Sequence, residues 1–103
     1  MADKRQYERI LLPLEVRWEG LSGKNIARLN DLSLGGCYVE SLAQVSIGES
    51  IRFEIQLPTG RWLELHGDVI YHQPTLGFGV HFTNLSELEE EMLASLVEYG
   101  KTS

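Results

Sequence analysis

From Leu12 to Trp18 the chain alternates, with Leu12, Leu14, Val16 and Trp18 on one side and Pro13, Glu15 and Arg17 on the other. That period of two belongs to a half-buried strand. A turn is expected at Glu19 to Asn25, where Gly20 and Gly23 stand at the shoulders. Ile26 to Asn30 and Cys37 to Glu40 read as shorter strands on either side of a turn-forming stretch, Asp31 to Gly36. Ile51, Phe53, Ile55 and Leu57 alternate with Arg52, Glu54 and Gln56, and Pro58-Thr59-Gly60-Arg61 then connects to the next strand. That strand runs from Trp62 to Tyr71, with Leu63, Leu65, Val69 and Tyr71 on one face and Gly67 between them. Gln73-Pro74-Thr75 breaks it, and Gly77 to Phe82 sets Phe78, Val80 and Phe82 opposite Gly77, Gly79 and His81.

The period then changes to about 3.6. Ser86-Glu87-Leu88-Glu89 has the form of a capping box, and Leu88, Met92, Leu93, Leu96 and Val97 make one apolar stripe. Gly100 suits the helix stop. Six short antiparallel strands and a terminal helix imply a mainly β fold, a closed or nearly closed barrel with the helix covering part of it.

Composition narrows the class. A chain of 103 residues is long enough for one core and too short for two. Hydrophobic residues make up 43 % and charged residues 23 %, the profile of a globular protein. No stretch approaches the roughly 20 apolar residues that span a bilayer, so membrane insertion is not expected. The polar start MADKRQYER lacks the apolar core of a secretory signal, and Cys37 has no second cysteine to pair with. A cytoplasmic location is the expectation. A net charge of −6 argues against binding to long nucleic acids through their phosphates. The acids concentrate after Ser86, however, while Lys4, Arg5 and Arg9 make a basic N-terminal tip suited to a small anion.

Two segments fall outside this core-and-surface logic. Arg5-Gln6-Tyr7-Glu8-Arg9 reads as RxxxR, and Asp31-Leu32-Ser33-Leu34-Gly35-Gly36 reads as DxSxxGG. Each alone has an ordinary reading, a solvated terminus and a β-turn capped by its own side chains. Together their chemistry converges. An arginine fork matches phosphate oxygens and the O6/N7 edge of guanine. An ionised Asp accepts from the N1 and N2 donors on the other edge. A short hydroxyl and paired glycines let backbone amides approach a ligand.

The pair, in this order and spacing, resembles the signature of the PilZ domain family. The PLEVRW strand after RxxxR, the LGFGVHF strand at Leu76 to Phe82 and the terminal helix extend the resemblance over nearly the whole chain. The resemblance implies a six-stranded barrel that binds cyclic di-GMP, with no other cofactor. It implies that Arg5 and Arg9 clamp phosphates and guanine edges and stack on bases, and that Asp31 and Ser33 bind a guanine and its neighbouring backbone. Gly35 and Gly36 would allow close approach, and Gly77 and Gly79 would form part of the floor. Lys4 stands where many members carry a further arginine, which bears on whether one or two stacked ligand molecules bind. Lys supplies charge there without a stacking plane.

The division expected is a flexible N-terminal segment, residues 1–11, and one barrel domain with its helix, residues 12–103. In this reading residues 1–8 fold over the barrel when ligand binds, and a protein effector, which the sequence does not identify, reads the new surface. The chief rival is a PilZ-like protein–protein adaptor that does not bind nucleotide; both motifs are intact here, which favours the receptor. A barrel for RNA or single-stranded DNA should interleave basic and exposed aromatic residues on its strands, and this one does not. No nucleophile or acid–base pair has a supporting neighbour, so no enzyme is expected. His66, His72 and His81 are too scattered to suggest a metal site, and Cys37 reads as a small core residue. Trp62, out of phase with Leu63 and Leu65, is a candidate partner surface.

Overall fold

The structure, a computed structural model, describes residues 10–21 and 23–102. Six strands, β1 (Ile10–Gly20), β2 (Gly23–Leu32), β3 (Gly36–Glu40), β4 (Ser50–Gln56), β5 (Trp62–Gln73) and β6 (Gly77–Phe82), precede one helix, α1 (Glu87–Thr102). The strands are antiparallel and close in the order β1-β2-β3-β6-β5-β4, with β4 pairing back on β1. The six-stranded antiparallel barrel with a C-terminal helix is thus present. The closing β1–β4 pairing is short, running from Val16 to Glu19 on β1.

The inward residues of the alternating strands meet in one core. Trp18 and Phe78 are buried and pack edge to face at 5.0 Å between centroids, and Phe53 lies against Phe82 at 5.7 Å. Geometry of this kind adds about 1 kcal/mol per aromatic pair beyond burial itself. Near the β1–β2 hairpin, the buried Glu49 carboxylate accepts from the amides of Leu21 at 2.7 Å and Ser46 at 2.9 Å, tying the turn to the loop before β4.

Three register shifts bend the barrel. They fall between Leu11 and Leu14 in β1, between Leu29 and Asp31 in β2, and between Val69 and Tyr71 in β5. In each, one strand carries an extra residue, which reverses the face on which the following side chains lie. Pro13 sits within the first, where the missing ladder donor costs little.

The structure adjusts several expectations. β1 starts at Ile10, which is buried, so the barrel begins two residues before the boundary expected from the alternation. Asp31 and Leu32 belong to β2 and not to the turn. Tyr71 lies outside the barrel, because the bulge at Ile70 reverses the alternation that holds from Leu63 to Val69. The α1 cap is as expected: Ser86 Oγ accepts from the Glu89 amide at 3.1 Å, and Glu89 Oε1 from the Ser86 amide at 3.0 Å. Leu93, Leu96 and Val97 are buried, with α1 resting on β1 and β5, whereas Leu88 is 63 % exposed and leaves the stripe. Gly100 does not stop the helix, which continues to Thr102. A side chain there would run into Ile10, so its glycine serves close helix–strand approach. Trp62 is half-buried beneath the Arg17 guanidinium, 3.7 Å from its ring centroid.

Among the described residues no helix is long and apolar enough to cross a membrane. Among the same residues no three His, Cys, Asp or Glu side chains are grouped to hold a metal ion.

Candidate ligand-binding site

The DxSxxGG segment occupies the end of β2, a tight turn and the start of β3. Leu29 is buried, so strict alternation would point Asp31 inward as well. The extra residue, Asn30, prevents this: Leu29 pairs with Val39 and Asp31 with Tyr38, which turns Asp31 outward and Leu32 into the core. A bulge that re-aims one side chain is a common device beside functional sites. Asp31 is also the partner of Leu11 on β1. Asp31 therefore lies on the outer side of the barrel wall, half-buried between the first residues of the barrel and β3, with its Oδ1 shielded from solvent.

Ser33 is buried at 2 % exposure, and its hydroxyl is used within the turn. Its Oγ accepts from the amides of Gly35 and Gly36, both at 3.2 Å, while the Ser33 amide donates to Gly36 O at 2.9 Å. The serine thereby shapes the loop that follows Asp31. Gly36 has a structural reason of its own. It faces His81 across β3–β6, and a Cβ at this position would overlap the Val80 carbonyl oxygen. Gly35 is half-buried, and its carbonyl accepts from the Phe82 amide at 2.9 Å, fastening the turn to β6.

The outer wall beside Asp31 contains a feature the sequence reading missed. Asp31, Tyr38, Gly79 and Tyr71 are consecutive cross-strand partners over β2, β3, β6 and β5. The Tyr71 ring fills the space a side chain at position 79 would take, whereas a side chain at position 77 would overlap the Val39 carbonyl oxygen first and meet the Tyr38 ring at 3.0 Å. Both glycines are consequently buried although they lie on the outer face. The rings lie 6.1 Å apart with planes 29° from parallel, and Tyr38 Oη donates to Gln73 Oε1 at 2.6 Å. Partial burial, with Tyr71 and Glu40 adding to it, holds the Tyr38 phenol above the usual tyrosine range. A trace of this was visible in the sequence: glycines at alternate positions of one face leave a groove that large neighbours must fill.

Lys4, Arg5 and Arg9 lie outside the described residues. Arg9 is the chain neighbour of Ile10, which pairs with Leu32, one residue from Asp31.

The PilZ domain profile matches residues 3–99 of the chain. Among solved structures, the chain is similar to the PilZ domain of YcgR from Escherichia coli, determined with c-di-GMP. The two share 19 % identity at a TM-score of 0.80, covering 97 % of this chain and 93 % of that one. It is also similar to the Bacillus subtilis inhibitor of motility (MotI/DgrA), at 20 % identity and TM-score 0.78, covering 99 % of this chain and 53 % of that one. The PilZ domain of CeSA, from a cellulose-synthesizing bacterium, gives 23 % identity and TM-score 0.72, covering 93 % and 99 %. The chain spans about half the length of the Bacillus inhibitor. At these identities the likeness shows a shared barrel. No curated protein sequence matches the chain.

Proposed function

Because the chain belongs to the PilZ domain family, we propose that it is a receptor domain for cyclic di-GMP, acting by binding and not by catalysis. The observation that carries this reading is Asp31. A bulge at Asn30 turns that acid out of a strand otherwise set to bury it, at the end of β2 that pairs with the start of β1, the first barrel strand after RxxxR. A carboxylate held outward on a rigid strand is an acceptor matched to the N1 and N2 donors of a guanine.

In this reading Arg5 and Arg9 supply the positive charge that a cyclic dinucleotide diphosphate needs, and the bidentate fork that its phosphates and guanine edges accept. Ser33 acts mainly by holding the turn, so that Gly35 and Gly36 keep the loop close to the wall. Lys4 adds charge at the phosphates without offering a stacking plane. The relay to a protein partner runs through the N-terminal segment as the ligand draws Arg5 and Arg9 toward Asp31. α1 lies at the root of that segment, since Gly100 packs on Ile10, which gives the relay a second element to move. Amide exchange of residues 2–9 that stays unchanged at saturating ligand would remove this relay.

Calorimetric titration with cyclic di-GMP, with GTP as control, tests the binding reading. The expected result is micromolar or tighter binding by the native chain. Loss of one charge-assisted contact should make Asp31→Asn roughly 10- to 100-fold weaker. Arg9→Ala should lose binding as well, and GTP should show none. A folded native chain that does not bind would pass the barrel to the other reading, an adaptor for proteins.

A further inference from the structure

The row Asp31, Tyr38, Gly79 and Tyr71 contains more aromatic surface than an outer wall requires. Tyr71 is 41 % exposed, and its ring lies beside that of Tyr38 over strand β6. Two devices hold the rings in place. Glycines at 77 and 79 leave room for them against the sheet, and Gln73 accepts from the Tyr38 hydroxyl. A second bulge, at Ile70, brings Tyr71 to this side of the wall, as the bulge at Asn30 brings Asp31. Two independent irregularities thus deliver an acid and an aromatic ring to one cross-strand row. Rings fixed in advance lose little freedom when a flat group settles on them.

We propose that Tyr38 and Tyr71 form the floor on which a base of the bound guanine nucleotide stacks, while Asp31 reads the edge of that base. This rests on the cyclic di-GMP reading above and adds the residues that hold the base by its face. Cross-strand partners stand with their Cβ atoms about 5 Å apart, so a base over Tyr38 has its edge within reach of the carboxylate opposite. The labour divides by chemistry. Every base has a π face, so stacking supplies affinity with little selectivity. The edge contact distinguishes guanine from adenine, whose corresponding edge presents a different donor and acceptor pattern. Gly77 and Gly79 then act one layer below the ligand, by admitting the rings that touch it.

The test is a titration of the native chain, Tyr38→Phe, Tyr71→Leu and Asp31→Asn with cyclic di-GMP and cyclic di-AMP. Tyr71→Leu should bind cyclic di-GMP about ten-fold more weakly, with its preference over cyclic di-AMP kept. Tyr38→Phe, which retains the ring, should keep most of the affinity, and Asp31→Asn should lose the preference. Native affinity in Tyr71→Leu would overturn the floor alone and leave the tyrosines as a cover for β6. No binding by the native chain would overturn the receptor reading and the floor with it. If Tyr71→Leu does not fold, the unmodified chain still decides. Ring protons of Tyr38 and Tyr71 should move upfield on saturation with cyclic di-GMP, and unmoved ring signals beside shifted Asp31 signals would overturn the proposal.

Discussion

The two sides of this barrel wall are built on the same alternation and finish it in opposite ways. On β1, β4 and β5 the two outward arginines pair with acids on adjoining strands. Arg17 meets Glu54 at 3.1 Å and covers Trp62, while Arg52 reaches Glu19 at 2.8 Å and Glu64 at 3.4 Å. On β2, β3, β6 and β5 the outward row is an acid, two tyrosine rings and a glycine, shaped by two bulges. On the first side both arginines are engaged by neighbours on adjoining strands. The second presents flat apolar faces next to a carboxylate, a combination suited to a base. Among the described residues, the cross-strand ion pairs and the row proposed to hold a base thus occupy different parts of the wall, and two register shifts set the second.

Substitutions sharpen the contrast, beginning with the most damaging. Gly36→Val sets a side chain against the Val80 carbonyl within the β3–β6 ladder. It should cost about 3 kcal/mol or more, because backbone gives way less readily than side chains. Chemical denaturation would show it, and near-native stability would mean the close approach can relax. Arg17→Ala removes an exposed ion pair and the stacking on Trp62. Its cost should be about 1 kcal/mol, smaller in high salt, with cyclic di-GMP affinity unchanged. A clear loss of affinity in that variant would merge the two sides into one site. The smallest effect is alkaline. Tyr38 holds its proton more tightly folded than unfolded, so this contribution is intact below about pH 10. It fades as pH rises from there through the folded value, since the unfolded chain then binds fewer protons. Stability should fall more steeply above that pH in the native chain than in Tyr38→Phe, and parallel curves would contradict the assigned cause.

The sequence displays this architecture unevenly, for physical reasons. Strands such as β4 and β6 are legible because each buries one face throughout, so hydrophobicity alternates without interruption. The start of α1 is legible because its cap is made of residues three apart in the chain. Tyr71 is not, since the bulge at Ile70 is a relation between β5 and β6, and no single strand reports its own register. The bulge at Asn30 leaves a fainter mark, two buried leucines spaced by three at Leu29 and Leu32. Gly100 looks like a helix stop because the sequence cannot show Ile10 lying against it. The motif residues Asp31, Ser33, Gly35 and Gly36 stand out as a pattern, and the Ser33 hydroxyl caps the turn in the ordinary way such a segment suggests.

The most direct test of the two-sided account is an amide chemical-shift map of the native chain titrated with cyclic di-GMP. Shifts centred on Asp31, the 33–36 turn, Tyr38, Gly79 and Tyr71, with Arg17, Arg52 and Glu54 undisturbed, are the predicted result. Shifts centred on the β1–β4 side, or none at saturating ligand, would contradict it.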